Sequence, residues 1–405
     1  MGFGQSETTV SDSLVEHQVD SLVSQAIQAQ AFPGAQLLVA HQNEVIFHKA
    51  YGFHTYDSIQ PVGLTDLYDL ASVTKILGPL PALMKLVEEG VLDLDVAFST
   101  YWKPWRKQKN KKHITLREIL AHQAGLVPYI VFLGEATKNG LPKKRFIRST
   151  KGKGFQNKAY ENQFVHRRFK NKVYRVIDRS EVSDEKRYRY SGLTFLIFPE
   201  LIEQLTGQAY ENYLKEHFYD PLNCKTLGFN PSQKGFSNAI VPTEIDTFWR
   251  KSLVKSYVHD ENAALLGGIS GNAGLFGSAD DLLKMMLLYQ NYGTLDGKTL
   301  LSEKVIKEFT NVQYRENENR RGLGFDKPYL GNDTLALSNA YPSPKVSASS
   351  FGHAGFTGTF VWADPKDQLV FIFLSNRVYP SRSHRKLYEL KVRERLQNIF
   401  YSSLK

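Results

Sequence analysis

The chain has 405 residues, 42% of them hydrophobic, enough to bury a large core in one or two domains, and a formal net charge of +10. No run of roughly 18 apolar residues occurs, which excludes a membrane-spanning helix. The single cysteine, Cys224, excludes an internal disulfide and any cysteine-based zinc site, and its setting after Pro221-Leu222-Asn223 reads as buried packing.

The first residues lack the charged-then-apolar pattern of a signal segment, and Met1-Gly2-Phe3-Gly4-Gln5-Ser6 fits an N-myristoylation pattern only formally. Val15, Val19, Leu22, Val23, Ala26 and Ile27 recur at helical spacing, and Phe32-Pro33-Gly34 stops that helix. A hairpin follows: Ala35 to Ala40, a turn at Gln42-Asn43, then Val45-Ile46-Phe47. Next, Ser72-Val73-Thr74-Lys75 opens a helix whose apolar stripe is Leu80, Leu83, Met84 and Val87; Gly90 ends it, and Pro79 and Pro81 are expected to kink it.

All the excess positive charge sits in 138–189, with 17 Lys and Arg against 5 Asp and Glu; the rest of the chain is slightly negative. Two readings stand: a solvated surface lobe, or a basic rim of the site that draws anionic substrates. Phe155, Tyr160, Phe164, Phe169 and Tyr174 interleave with these charges, but no recognisable nucleic-acid module surrounds them, so no nucleic-acid partner is expected. Gly271-Asn272-Ala273-Gly274-Leu275-Phe276 is glycine-rich and reads as a groove wall. A second hairpin spans Thr359 to Ala363 and Leu369 to Leu374, and Leu387, Leu390, Leu396, Ile399 and Phe400 suggest a closing helix. Hairpins at both ends imply one antiparallel sheet built from both termini, with a largely helical lobe between them.

The chemistry concentrates at Ser72 and Lys75. A serine three residues before a lysine on a helix puts hydroxyl and amine on one face, close enough to share a proton. Spacing alone is weak, since Ser183/Lys186, Ser252/Lys255, Ser383/Lys386 and Ser402/Lys405 match it too. Only Ser72 has a buried helix behind it. The plain alternatives are a helix N-cap for Ser72 and a surface lysine for Lys75. No Gly-x-Ser-x-Gly elbow and no His-Glu-x-x-His cluster occurs, which argues against an α/β-hydrolase and a zinc hydrolase.

Three further segments accompany Ser72: Leu120-Ala121-His122-Gln123-Ala124-Gly125, Tyr190-Ser191-Gly192, and Phe351-Gly352-His353-Ala354-Gly355-Phe356-Thr357-Gly358-Thr359. In that order, from about 32 to about 378, they resemble the serine β-lactamase and penicillin-binding protein superfamily. The likeness is to its class C, D-alanyl-D-alanine carboxypeptidase and esterase-like branch. The resemblance implies a β-lactamase/transpeptidase-like α/β (α+β) fold. Residues 1–75 and 265–405 would form the sheet domain, and 76–264 the helical lobe, including the basic insertion at about 138–189.

The resemblance also implies roles. Ser72 would attack, Tyr190 and Lys75 would relay protons, and the backbone amides of Ser72 and Phe356 would hold the oxyanion. Gly192 stands where the family has Asn or Asp, so a side-chain amide that orients substrate is missing. His353-Ala354-Gly355 takes the place of Lys-Thr-Gly; His353 would bond a substrate carboxylate or the tyrosine, Gly355 would let substrate approach closely, and the strand edge would pair with an extended acyl group. His122 and His259 read as structural. No metal or organic cofactor is expected. The implied substrate is a small molecule or peptidoglycan fragment, anionic if the basic rim is real. It would be met outside the cytoplasm, with any export signal absent from this chain. Rival readings are a carboxylesterase, a β-lactamase, and a non-catalytic sensor or binding module of the same fold.

Overall fold

Nearly continuous apolar runs at both chain ends, Ala35 to Ala40 and Leu369 to Leu374, produce the central strands of the sheet. The computed structural model describes residues 10–236 and 238–404; the segment 1–6 with its myristoylation pattern lies outside them. Strands β1 (Gly34–His41), β2 (Glu44–Gly52), β3 (Phe351–Ala354), β4 (Phe360–Asp364) and β5 (Leu369–Ser375) form one antiparallel sheet in the order β3-β4-β5-β1-β2. The termini meet in the β1–β5 ladder, with Ala35 opposite Ser375 and His41 opposite Leu369.

Strand β5 is buried at every position, so its two faces serve two cores. Val370, Ile372 and Leu374 pack into the core that holds Val73, Ile76 and Leu77 beside Ser72. Leu369, Phe371 and Phe373 face the core of Val19, Val23, Leu396 and Phe400. Each such side chain contributes about 1.5–3 kcal/mol on burial, which is what fixes the sheet behind the nucleophile.

The helices that matter to the site are α1 (Val10–Gln28), α2 (Thr74–Leu77), α3 (Pro79–Glu88), α4 (Phe169–Arg179), α5 (Glu261–Leu265), α6 (Ala279–Gln290) and α7 (Val392–Ser403). α1 and α7 pack on one face of the sheet, α6 on the other. None of the helices is long and apolar enough to cross a membrane, among the described residues.

Three elements differ from the expected pattern. The helix after Ser72 breaks at Gly78 (φ −101°, ψ −95°) into α2 and α3. Pro79 is then the first residue of α3, where its missing N–H costs nothing, so the prolines start a helix instead of kinking one. The closing helix is split into Lys386–Glu389 and α7 by Lys391, which adopts φ +51°.

The basic stretch 138–189 is only partly helical. It folds as a small sheet, Ile147–Arg148, Gln163–Val165 and Asn157–Tyr160, followed by α4. α4 buries Phe169, Val173 and Ile177, and Asp178 accepts the indole N–H groups of Trp102 and Trp105 at 2.8 and 3.0 Å, tying the lobe together.

Candidate active site

Ser72 sits in a 3-10 turn, Ala71–Val73, that runs into α2. No side-chain cap bond is made at the start of either element, which removes the N-cap reading. The residue before it, Ala71, has φ +44°, a left-handed conformation that costs a residue with a Cβ about 1–2 kcal/mol. Asp69 holds it there. The buried carboxylate accepts the Ala71 amide on Oδ1 at 2.8 Å and the His259 amide on Oδ2 at 2.6 Å. Its backbone carbonyl accepts Thr357 Oγ1 at 2.7 Å, so one residue joins the Ser72 turn to the loop after β3. Burial raises the Asp69 carboxyl pKa, opposed by the two amide donors.

Lys75 is 2% exposed and donates to Ser72 Oγ at 2.9 Å and to the Asn272 carbonyl at 2.9 Å. The surface-lysine reading is therefore excluded. Its Nζ lies 5.5 Å from the ring centroids of both Tyr190 and Phe195. Tyr190 in turn packs against His122 (centroids 4.5 Å apart), His353 (6.1 Å) and the Arg321 guanidinium (5.7 Å). Ser72, Lys75, Tyr190 and His353 thus converge from three distant stretches of sequence. His122 Nδ1 accepts the Ser191 amide at 3.3 Å, and its pKa is pushed well below the ordinary value by burial and by Arg321, His353 and Lys75. It is a neutral prop for the Tyr190 turn.

A Cβ built on Gly192 would meet nothing closer than Lys75 Cε at 4.0 Å. The missing amide therefore leaves open space beside Lys75, not a gap filled by another group.

Burial first, then Arg321 and Lys75, hold the His353 pKa down to about 3, so the imidazole is neutral. Nδ1 donates to the carbonyl of Ala354 at 2.8 Å, which leaves Nε2 as a buried acceptor without a partner among the described residues.

Two expectations for β3 change. A Cβ on Gly355 would fall 2.0 Å from Thr359 Oγ1 and 2.6 Å from the Leu70 carbonyl, so the glycine is demanded by packing of the strand end against the Ser72 turn, not by approach of substrate. The strand edge is already occupied at Gly352, which exchanges 2.8 and 3.0 Å bonds with Asp326. What remains beside Ser72 is the strand end, Ala354 to Phe356. The amides of Ser72 and Phe356 take part in none of the turn and loop hydrogen bonds among the described residues.

A cleft of about 420 Å³ opens over Ser72. Asn272 and Ala273 line it, as the glycine-rich stretch implied; no residue of 138–189 is among its lining residues, although Asn157–Tyr160 packs against α5, whose first residue, Glu261, lines the cleft. His259, read as structural, lines it too. Its Nε2 bonds Glu244 at 2.8 Å and its ring stacks on Phe356 at 5.8 Å. Against the burial that would raise it, hydrogen bonds from His259 and Arg382 bring the Glu244 pKa down to about 2.

The rest of the wall is formed by residues sequence reasoning missed: Tyr129, Val131, Phe248, Asp260, Glu261 and Arg382. Phe248 projects from a turn pinned by Asp246, whose carboxylate accepts the amides of Phe248, Trp249 and Arg250 at 2.7, 2.9 and 3.0 Å. Asn262 clamps the Tyr129 loop to α5 through the Ile130 carbonyl and the Phe132 amide. Only Asp260 carried a sequence signal, as an N-cap before Glu261; its Oδ1 accepts the Ala263 amide at 2.8 Å.

Fold and cleft together define a serine hydrolase of the penicillin-recognising type. The chain belongs to the Beta-lactamase family, whose sequence model matches residues 19–394. It is similar to a protein of Escherichia coli O157:H7 named "Putative D-alanyl-D-alanine carboxypeptidase", 28% identical over 387 residues, covering 89% of this chain and 82% of that one. A protein of the same name from Salmonella enteritidis is 28% identical over 401 residues, covering 93% of this chain and 86% of that one. Among solved structures, a penicillin-binding protein homologue from Caulobacter crescentus has TM-score 0.66 at 19% identity, covering 98% of this chain and 99% of that one. EstCE1, a hydrolase with promiscuous acyltransferase activity, has TM-score 0.66 at 18% identity, covering 96% and 100%. At those identities the two structures speak for the fold alone.

Proposed function

We propose that the chain cleaves an amide or ester bond through a covalent acyl-Ser72 intermediate, in the cleft between the sheet domain and the 76–264 lobe. The observation that carries this is the 2.9 Å bond from Lys75 Nζ to Ser72 Oγ on the floor of that cleft. Ser72 Oγ attacks the carbonyl while its proton passes to the Lys75/Tyr190 pair; the same proton goes to the leaving group as the tetrahedral intermediate collapses. Water then attacks the acyl carbonyl and Ser72 is regenerated. The amides of Ser72 and Phe356 stabilise the oxyanion, a term worth roughly 3–4 kcal/mol per donor. His353 acts as a neutral acceptor near Tyr190.

The names of the relatives favour peptidoglycan-derived peptides as substrate, which suits action outside the cytoplasm. A carboxylesterase is the second reading, favoured by Gly192, because no side-chain amide is present to orient a peptide. The test is intact mass after incubation with a fluorophosphonate or a penicillin, with the adduct mapped, together with hydrolysis of a nitrophenyl ester by wild type and Ser72→Ala. Labelling of Ser72 and loss of hydrolysis in the variant are expected. A label on another residue, or equal rates in both proteins, removes Ser72 from the mechanism; labelling without any turnover makes the chain a sensor.

A further inference from the structure

The charged side chains around the Ser72 cleft are spent on one another. Arg382 holds Glu244 through Nε at 2.9 Å and Glu261 through Nη2 at 2.7 Å, and His259 adds a 2.8 Å bond to Glu244. Arg377 lies 4.5 Å from the Phe356 ring and donates to the Arg382 carbonyl at 3.1 Å. Lys75 donates to Ser72 and Asn272, while Asp260 accepts the Ala263 amide and Asn272 Nδ2. Arg250 is buried and paired with Asp246 at 3.3 Å. Arg382, Arg377 and Lys75 thus stand against Asp260, Glu261 and Glu244, a balance that gives no preference for either sign of ligand charge.

What the cleft leaves unpartnered is apolar. Tyr129, Val131 and Phe248 line it and are 47%, 56% and 67% exposed. Single exposed apolar side chains are ordinary; three in one wall beside a nucleophile form a surface that a ligand covers. Both segments that carry them are anchored. Asn262 donates to the Ile130 carbonyl at 2.9 Å and accepts the Phe132 amide at 3.2 Å, so the segment buries Phe132 completely and leaves Tyr129 and Val131 in the cleft. The Phe248 turn is held by Asp246, and Arg250 ties it to the Val258 and His259 carbonyls at 2.8 and 3.1 Å. Phe356, stacked on His259 and met by Arg377, is a fixed part of the same wall.

The cleft also lies to one side of the nucleophile. Ala71, Asn272, Ala273 and Phe356 line it with Ser72, whereas Tyr190 and His353 do not. A leaving group must reach the Lys75/Tyr190 pair for its proton, which leaves this space, about 420 Å³, to the acyl portion.

We propose that Tyr129, Val131 and Phe248, with Phe356, form an acyl pocket, and that the substrate is an ester or amide whose acyl group is uncharged and apolar. As a statement about turnover this rests on Ser72 being the nucleophile; as a statement about binding it does not.

Nitrophenyl acetate, butyrate and hexanoate share one leaving group and differ only in acyl length. Taking one methylene out of water favours binding about fourfold, so kcat/KM, corrected for spontaneous hydrolysis, is expected to rise by about tenfold or more from acetate to hexanoate. The adipate monoester, which ends a like chain in a carboxylate, and the 6-aminohexanoate ester, which ends it in an ammonium, are each expected to fall about tenfold or more below hexanoate. Phe248→Ala, checked for its fold by circular dichroism, should lower the hexanoate-to-acetate ratio about threefold or more. Ligand-observed NMR on Ser72→Ala reads binding without turnover, with hexanamide expected to bind about tenfold or more tightly than acetamide. A hexanoate rate within about twofold of acetate, or a charged ester turned over as fast as hexanoate, overturns the pocket. Where that turnover is lost in Ser72→Ala, the nucleophile assignment stands and only the pocket fails. If hexanamide binds while no ester is turned over, the pocket stands and the hydrolase reading fails; if neither amide binds and no ester is turned over, both fail.

Discussion

Replacing Asp69 by Asn tests whether one buried carboxylate positions the reacting groups. The carboxylate offers two acceptor oxygens, one to the Ala71 amide at 2.8 Å and one to the His259 amide at 2.6 Å. An asparagine of the same size keeps a single acceptor. Whichever way its amide turns, an NH₂ faces one of the two backbone N–H groups at contact distance. A buried donor is then left unpaired, at a cost of about 1–3 kcal/mol.

Part of that cost is relieved by movement. The free segments are the Ala71 turn, already strained at φ +44°, and the loop held by Thr357 on the Asp69 carbonyl at 2.7 Å. Those segments carry Ser72 and the amide of Phe356, so a shift of several tenths of an ångström falls on both nucleophile and oxyanion donor. Asp69→Asn is expected to lower kcat on a nitrophenyl ester about 10- to 100-fold with a much smaller change in KM. Thermal denaturation, followed in parallel, should show a modest fall in Tm, and Thr357→Val a smaller version of both effects. An Asp69→Asn protein with kcat within about twofold of wild type would refute the reasoning, and a lowered Tm with kcat retained would make the residue structural only.

Gly355→Ala should be worse than a typical glycine substitution, because its Cβ would lie 2.0 Å from Thr359 Oγ1 and 2.6 Å from the Leu70 carbonyl. A loss of about 1–3 kcal/mol by denaturant titration, with little soluble activity, is expected. Gly192→Asn should fold normally, since only Lys75 Cε approaches its Cβ, at 4.0 Å; stability within about 0.5 kcal/mol of wild type and a raised amide-to-ester rate ratio are the outcomes to measure. Acid should destabilise the protein through His353. Its folded pKa of about 3 lies below the ordinary 6.5, so the unfolded chain takes up the proton first, and stability falls as pH drops from 6.5 towards 3. The slope is about 1.4 kcal/mol per pH unit, and His353→Gln should remove that contribution from denaturation curves recorded across this range.

The sequence by itself determined the sheet and the nucleophile pair. The short apolar runs 35–40 and 369–374 are the local mark of strands buried on both faces, and a three-residue separation across a helical start keeps Ser72 and Lys75 within reach of each other. The positions of Tyr190 and His353 beside Lys75 came from their likeness to a known family, because nothing local brings side chains more than a hundred residues apart into contact.

Only the tertiary structure decided the character of the cleft. Charge counted along the chain left 138–189 open as a surface lobe or a basic rim; in the fold no residue of that stretch lines the cleft, and the wall is built by Tyr129, Phe248, Asp260 and Glu261. Those residues come from loops whose placement depends on buried anchors such as Asp246, Asn262 and Arg250. The charge and protonation of His353 were likewise invisible in the sequence, since a histidine's pKa depends on how much water and which cations the folded chain leaves around it.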